Sequence, residues 1–476
     1  MMAAFNPALA TPEMILAGSA LALLVWGAYQ GRVNSLFTAA AVLALVGAAV
    51  AAATGPLGRA FSGGLIADQA SVFAKIVIYL ASATAIPLGE RWLHRRGHGR
   101  FEFPVLVIIA ALGMGMMASA GDLISLYIAI ELQSLALYIL AAFCRDDAKS
   151  SEAALKYFVL GALSSGLLLY GASLIYGFAG STRLDLIARA MHAGAGTGGL
   201  FGLVFLMCGI GFKVSAAPFH MWTPDVYEGA PTPIVGFFAG APKLAAMVLL
   251  ARVLMQGFGG ATEQWRQILI VMALISVGVG AFAGLAQSNL KRLWAYSSIA
   301  TIGYALIGLA SGGEAGVQSM LMFMVLYVVD VTGFFACLAA LSRDGKPMES
   351  LNDFAGLVRE RPGLAMAMTV FCISALGIPG FTGFWAKFYV FKAALNSGLG
   401  VAAVIALIGS VVAAFYYLRL IKVMWFDPAP GPTDTPPREA AWVTYGTALF
   451  AFPVVMIALK VLDPLAHVAA AALTSR

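Results

Sequence analysis

The chain has 476 residues, of which 61% are hydrophobic without counting glycine and only 11% are charged. Soluble domains average about 45–50% apolar residues with glycine included and about 25% charged residues, so a water-soluble globule and a disordered chain are both excluded. The basic residues behind the formal net charge of +6 lie in short segments between apolar runs, which indicates membrane topology rather than nucleic-acid binding.

The apolar runs predict an all-α polytopic membrane protein, because a helix needs about 20 apolar residues to cross the hydrocarbon core. We predict about fourteen transmembrane helices, with connections too short for an extramembrane domain. The longest connections are 88–102, 180–199, 343–362 and the proline-rich 427–439. The predicted spans are 14–30, 36–54, 70–89, 103–120, 122–143, 153–179, 200–227, 231–257, 265–286, 292–311, 315–342, 363–396, 399–426 and 440–462.

Clusters of Lys and Arg predict the orientation, since such clusters mark cytoplasmic loops. They follow spans 3, 5, 9 and 11, whereas the alternate loops carry only Arg59, Arg183, Arg189 and Arg266. Odd-numbered spans are therefore expected to end in the cytoplasm, and both termini are predicted to be periplasmic.

Motifs for metals and nucleotides are missing from the sequence. The four cysteines are far apart and form no Cys-x-x-Cys pair, so no zinc or iron–sulfur site is predicted. His94 and His98 have the i, i+4 spacing of metal ligands, but they stand in a basic loop and are not expected to bind metal. No dinucleotide fingerprint, P-loop or HExxH motif occurs, so no nucleotide, flavin or haem site is predicted either.

Ionisable side chains inside apolar spans are the candidate functional residues, because each costs at least about 2.5 kcal/mol in mid-membrane. Glu131 lies in span 5, and Lys213 follows thirteen apolar or small residues in span 7. Lys243 is central in span 8 and Lys387 in span 12. Lys156 opens span 6, where it could instead extend its ammonium to the cytoplasmic surface.

Two spans combine a proline break with a lysine. In span 7, Pro218 follows Lys213 by five residues, and His220, which titrates near neutral pH when unperturbed, comes two residues later. In span 12, Pro379 precedes Lys387. Paired interrupted helices are typical of inverted-repeat transporters, whose sites lie near the membrane midplane.

This pairing predicts how the chain is organised. Residues 1–120 hold spans 1–4, and span 4 also opens a first five-helix repeat at 103–257. A second five-helix repeat covers 265–426. The remaining 427–476 form the proline-rich loop and span 14.

The buried charges suggest proton transfer. Desolvation favours the neutral form of a buried lysine, and a nearby carboxylate favours the charged form. Glu131 and Lys213 would form a pair that takes up a proton, Lys243 would pass it on, and Lys387 would release it. Asp330, central in span 11, is a weaker candidate for the same path.

Several segments resemble the antiporter-like subunits of respiratory complex I. They are span 5 with its central Glu131, GFKVSAAPFHMWTPDVYEGAPTPIVGFFAGAPK across spans 7 and 8, LKRLWAYSSIATIGY entering span 10, and GIPGFTGFWAKFYVF in span 12. The resemblance covers most of the chain, and the segment across spans 7 and 8 is highly specific.

The resemblance implies residue roles. Glu131 and Lys213 match the ion pair on the proton-uptake side, and Lys156 matches the lysine of span 6. His220 matches the polar residue at the break of helix 7, and Lys243 the central lysine of span 8. Lys387 matches the terminal lysine of the broken helix 12.

Four comparisons with the family refine the match. Lys387 stands where one sibling subunit carries Glu, and the long lateral helix of another sibling is not expected here. Thr301 stands where the family often has His. Asp330 stands where an apolar residue is expected, which leaves the central part of the path open.

The resemblance implies a membrane-arm subunit of a proton-translocating NADH:quinone oxidoreductase, a translocase, in the bacterial inner membrane. FMN, iron–sulfur clusters and quinone would belong to partner subunits, with no cofactor in this chain. Its partners would be other membrane-arm subunits, the peripheral arm indirectly, and lipid, but not nucleic acid.

Two alternative functions share the same fold. In a multisubunit cation/proton antiporter, the same lysines would exchange protons with Na⁺, although a lysine-rich seam offers few of the oxygen ligands that such cations prefer. A membrane-bound hydrogenase-type complex would pump in the same way with different redox partners. A purely structural spacer would not need several costly charges in mid-membrane.

Overall fold

The structure is a computed structural model that describes residues 6–30, 34–192 and 196–475. Within these residues, thirteen helices are long and apolar enough to cross a membrane. The predicted all-α polytopic fold is therefore confirmed.

The first six long helices coincide with predicted spans 1–6. They are α1 (Thr11–Gln30), α2 (Ser35–Thr54), α3 (Gln69–Arg95), α4 (Glu102–Ser119), α5 (Leu123–Ala141) and α6 (Ala148–Ala179). Aspartates begin three of them, because the side chains of Asp68, Asp122 and Asp147 accept hydrogen bonds from backbone N–H groups of the first turn. A small hairpin of β1 (Gly58–Ala60) and β2 (Leu65–Ala67) joins α2 to α3, with Gly58 opposite Ala67.

The next segment is more fragmented than the sequence predicts. The connection 180–199 contains a short helix, α7 (Leu184–His192), that was expected to be a loop. Predicted span 7 is interrupted between α8 (Gly196–Val214) and α9 (Trp222–Gly229). Predicted span 8 is also interrupted, at Gly240, and comprises α10 (Thr232–Ala239) and α11 (Ala241–Arg252) followed by a π-helical turn over Val253–Gly257.

The second half again combines long helices with an interrupted one. Its long helices are α12 (Thr262–Leu285), α13 (Leu290–Ala310) and α14 (Gly313–Ala340). A two-residue ladder of β3 (Ser342–Arg343) and β4 (Lys346–Pro347) and the short α15 (Leu357–Glu360) follow. Predicted span 12 is interrupted between α16 (Pro362–Leu376) and α17 (Thr382–Asn396).

The last two spans differ in how well the sequence located them. Predicted span 13 is α18 (Gly400–Phe426). Predicted span 14 is longer than expected, because α19 (Arg438–Leu449), a π-helical turn at Phe450–Val454 and α20 (Val455–Thr474) form one apolar stretch.

The centre of the molecule is formed by α10, α11, α13 and α14. The apolar window of Thr232–Gly257 is completely buried inside the chain, whereas α1, α2, α6 and α18 have less than half of theirs buried. Helix α14 packs against α10, α13, α16 and α17. The helices that carry Lys243 and Asp330 are thus among the most buried of the described helices.

Side-chain bonds define two ends of the bundle. At the end we call the basic end, Arg95 and Arg361 donate to backbone carbonyls of the loop at 433–435, and Lys291 pairs with Glu349. These residues come from loops predicted to be cytoplasmic. At the opposite end, Arg59 pairs with Asp185.

A buried arginine holds the opposite end together. Arg252, fully buried at the end of α11, donates two parallel hydrogen bonds of 2.7 and 2.8 Å to Asp68 and two more to the carbonyl of Ala118 at the end of α4. Burial opposes ionisation of Asp68, but Arg252 and the N–H of Ser71 outweigh it and hold the pKa of Asp68 below its ordinary value.

We expect Arg252→Met to lower the stability of the chain by about 3–5 kcal/mol, because it leaves Asp68 without its partner. Thermal unfolding in detergent would measure the loss. The double variant Asp68→Asn/Arg252→Met removes both charges and should recover part of it. Equal unfolding temperatures for the two variants would show that the ion pair does not join α11 to α3.

Candidate functional site

The predicted site residues lie on neighbouring helices. Helix α5 packs against α6, α6 against α8, α8 against α11, α11 against α14, and α14 against α17. Along this series lie Glu131 of α5, Lys213 of α8, Lys243 of α11 and Lys387 of α17. We call these four residues the central row.

Glu131 and Lys213 do not form a direct ion pair in the part of the chain that the structure describes, contrary to expectation. Glu131 accepts a hydrogen bond from Ser165 of α6. Lys213, buried at 6% exposure, donates to Ser134 Oγ at 2.8 Å, one helical turn from Glu131 on α5. Tyr138 OH lies 3.4 Å from Lys213 Nζ. The hydroxyls of Ser134 and Tyr138 therefore solvate the ammonium, and the Glu131 carboxylate lies on the same helix, one turn from Ser134.

The interruption after Lys213 is held by neighbouring side chains. Ser276 of α12 accepts a hydrogen bond from the N–H of Ala217 at 2.8 Å, and the indole of Trp222 donates to the carbonyl of Phe212 at 2.9 Å. Such partners make irregular backbone tolerable at membrane depth. His220 lies in this interruption, and its Nδ1 is buried without a hydrogen-bond partner among the described residues.

Lys156 lies apart from the central row, at the basic end. Its Nζ is 2.8 Å from Asp225 Oδ2 and 2.8 Å from Glu152, and Asp225 Oδ1 is 2.6 Å from Arg292. Glu228 also contacts Arg292, at 3.2 Å. A cavity of about 190 Å³ lies between these side chains and Lys149. We call Lys149, Glu152, Lys156, Asp225, Glu228 and Arg292 the basic-end cluster.

Aromatic contacts connect the basic-end cluster to the interrupted helix. Tyr157, the residue after Lys156, stacks on Trp222 with ring centroids 4.4 Å apart. Trp222 opens α9, which carries Asp225 and begins two residues after His220. No sequence motif marks Asp225 as a site residue, because its two basic partners are 69 and 67 residues away along the chain.

Lys243 is completely buried and bonds to a chain of hydroxyls. Its Nζ donates to Ser298 Oγ at 2.6 Å, and Ser298 Oγ is 2.6 Å from the hydroxyl of Tyr327. The ring of Tyr227 lies 5.4 Å from the ammonium. No carboxylate lies within ion-pair distance of Lys243 in the described ranges.

Lys387 occupies the interruption between α16 and α17. Its Nζ donates to the carbonyls of Ala375 and Leu376 at 2.8 and 3.0 Å, and to Ser410 Oγ of α18 at 2.7 Å. The last carbonyls of a helix have no partner within the helix and carry partial negative charge, so the ammonium satisfies and complements them. Gly377, which ends α16, has φ +95°, a conformation that favours glycine.

Thr301 and Asp330, the two positions at which the sequence departs from the family pattern, differ in their hydrogen-bond partners. Thr301 donates to the carbonyl of Ser297 in its own helix at 2.9 Å, so its hydroxyl is satisfied locally. Asp330 instead accepts hydrogen bonds from Ser374 at 2.5 Å and Thr382 at 2.6 Å, which lie on either side of the interruption.

Comparisons with known proteins assign the chain to a family. A family model described as NADH:quinone oxidoreductase/Mrp antiporter, transmembrane, matches residues 120–413. The chain is 69% identical to NADH-quinone oxidoreductase subunit N of Caulobacter sp. strain K31, over 98% of this chain and 99% of the relative. The chain belongs to the NADH:quinone oxidoreductase/Mrp antiporter family. The four residues of the central row, Lys156 and His220 all lie inside the matched region.

Two solved structures share the family fold. A chain of respiratory complex I from Thermus thermophilus is 34% identical, with a TM-score of 0.81 over 96% of this chain and 99% of that chain. A chain of the membrane-bound sulfane sulfur reductase, an archaeal respiratory membrane complex, is 25% identical, with a TM-score of 0.86 over 98% of both chains.

We expect Gly383→Ala to disrupt the interruption that holds Lys387. A Cβ at Gly383 would overlap with the backbone carbonyl of Ser374, and such overpacking costs about 1–3 kcal/mol. Gly278→Ala on α12 is the matched control, since a Cβ there meets nothing within 4 Å. Thermal unfolding in detergent should separate the two variants, and equal unfolding temperatures would contradict the close approach.

Proposed function

We propose that this chain is a membrane-arm subunit of a proton-translocating NADH:quinone oxidoreductase, and that protons cross it along the central row. The observation that carries the proposal is shared by the three lysines of the row. Each places its Nζ 2.6–2.8 Å from a serine hydroxyl: Ser134 for Lys213, Ser298 for Lys243 and Ser410 for Lys387.

A serine hydroxyl suits a lysine that changes protonation state. A hydroxyl can accept a hydrogen bond from an ammonium and can donate one to a neutral amine, so it stabilises both forms. A carboxylate in direct contact would favour only the charged form. The three lysine–serine contacts therefore allow a proton to be taken up and given away.

The basic-end cluster is the proposed site of proton uptake. Lys156 and Asp225 line its cavity. The stacked rings of Tyr157 and Trp222 lie between the cluster and the interruption that contains His220. From there the next ionisable side chain of the path is Lys213. Glu131, one turn from Ser134, stabilises the proton while it resides on Lys213.

The energy would come from redox chemistry in partner subunits. FMN, iron–sulfur clusters and quinone are assigned to those partners, and this chain contributes only the proton path. Moving one charge across 100 mV requires about 2.3 kcal/mol. Changing the separation of Glu131 and Lys213 in a low-dielectric interior supplies an energy of that order.

The orientation and the internal repeats belong to the same proposal. The basic end faces the cytoplasm of the bacterial inner membrane, and both termini face the periplasm. The repeats at 103–257 and 265–426 each contain an interrupted helix beside a lysine of the row. The 69% identity to a subunit N over nearly the full chain favours this function over a cation/proton antiporter.

We expect Lys387→Met to lower coupled proton pumping about tenfold, which corresponds to about 1.4 kcal/mol on the barrier. Pumping and NADH:quinone turnover of the assembled complex in proteoliposomes would measure the effect. Lys392→Met is the matched control, because Lys392 lies five residues away on α17 and is exposed. Normal pumping by the Lys387 variant would contradict the central row.

Asp225→Asn tests the proposed uptake site. We expect slower pumping, because the variant weakens the contacts of Lys156 and Arg292 with the carboxylate that they share. Asp146→Asn is the control, since Asp146 is an exposed carboxylate between α5 and α6 and lies outside the basic-end cluster. If both variants pump equally in the same proteoliposome assay, Lys156 serves only as a surface charge.

A further inference from the structure

Asp330 is a carboxylate in the membrane interior without a charged partner. No Lys, Arg or His nitrogen lies within ion-pair distance of it in the residues that the structure describes. Its two oxygens accept hydrogen bonds from Ser374 Oγ and Thr382 Oγ1, and these hydroxyls lie 2.7 Å from each other. A carboxylate at this depth is expensive and indicates function by default.

Asp330 lies between two lysines of the central row. Tyr327, one turn earlier on α14, bonds Ser298, which in turn bonds Lys243. On the other side, Ser374 directly precedes Ala375, whose carbonyl holds Lys387. Hydroxyls thus extend from Lys243 to within one turn of Asp330, and on the other side the backbone of the interruption separates Asp330 from Lys387.

Opposite charges lie at the two helix ends that border the interruption. Lys387 lies at the C-terminal end of α16, and Asp330 bonds Thr382, the first residue of α17. Helix C-termini favour cations and helix N-termini favour anions, so each charge lies at the helix end that stabilises it. Asp330 and Tyr327 are both only partly buried and lie one turn apart on α14.

We propose that Asp330 carries the proton between Lys243 and Lys387. The inference rests on the proposed function, because it needs protons to move along the central row. It also assigns a role to a residue that the family resemblance does not expect at this position.

The transfer balances in two steps. In the first, the Lys243 ammonium gives a proton to Ser298 Oγ, while Ser298 passes its own proton to Tyr327. Tyr327 releases a proton through water, across one turn of α14, to a carboxylate oxygen of Asp330, which becomes a neutral acid. In the second, the acid gives this proton across the interruption to the neutral amine of Lys387, and the carboxylate is restored.

Asp330→Asn and Asp330→Glu separate proton transfer from a purely anchoring role. Asparagine has nearly the same shape and can still bond Ser374 and Thr382, but it cannot take up a proton. Glutamate can take up a proton, but its longer side chain fits the interruption less well. A proton carrier predicts that the Asn variant fails and the Glu variant works, whereas an anchor predicts the reverse.

The test uses the assembled complex in proteoliposomes. We expect Asp330→Asn to lose as much pumping as Lys387→Met, and Asp330→Glu to recover most of it. Glu314→Gln, in the first turn of the same helix, is the matched control and should pump normally. Normal pumping by the Asn variant, or failure of the Glu variant with success of the Asn variant, would overturn the inference.

Two safeguards keep the outcome decisive. If the Asn variant does not assemble, infrared difference spectra of the wild-type and Asp330→Glu complexes during turnover replace it. A carboxylic-acid band that shifts between the two supports the inference, and identical spectra overturn it. If Lys387→Met pumps normally, the proposed path fails; if only Asp330→Asn does, the path stands and the inference alone fails.

Discussion

The structure depends on one constraint, which is that an ammonium buried in a membrane protein needs polar partners. Lys213, Lys243 and Lys387 meet this need with serine hydroxyls, helix carbonyls and aromatic rings rather than with carboxylates in direct contact. These partners are neutral, and a hydroxyl can bond either the charged or the neutral form of a lysine.

The interruptions in the helices supply much of this polar environment. Lys213 lies one residue before the end of α8, Lys243 lies two residues after the start of α11, and Lys387 binds the last carbonyls of α16. Helix C-termini favour a cation, and helix N-termini do not. The helix dipole therefore stabilises a charged Lys213 and a charged Lys387 but not a charged Lys243. On the proposed path, a proton would reside longer on the two outer lysines than on the central one.

Fixed charges away from the central row are treated differently. Arg252 binds Asp68 through two parallel hydrogen bonds, and buried Lys75 lies 2.6 Å from Glu13. Such pairs join helices that are distant in sequence. The lysines of the central row, which form the proposed path, by contrast have no carboxylate in direct contact among the described residues.

The sequence by itself determined the fold class, nearly every span, the interruptions at Pro218 and Pro379, and the presence of Lys213, Lys243 and Lys387 inside the spans, because apolar length and the cost of buried charge are local properties. Only the tertiary structure decided which groups touch those lysines. It separated Glu131 from Lys213, placed Asp225 beside Lys156, and brought Ser374 and Thr382 to Asp330. These partners lie on different helices, and no periodicity or motif in one segment encodes a contact with another.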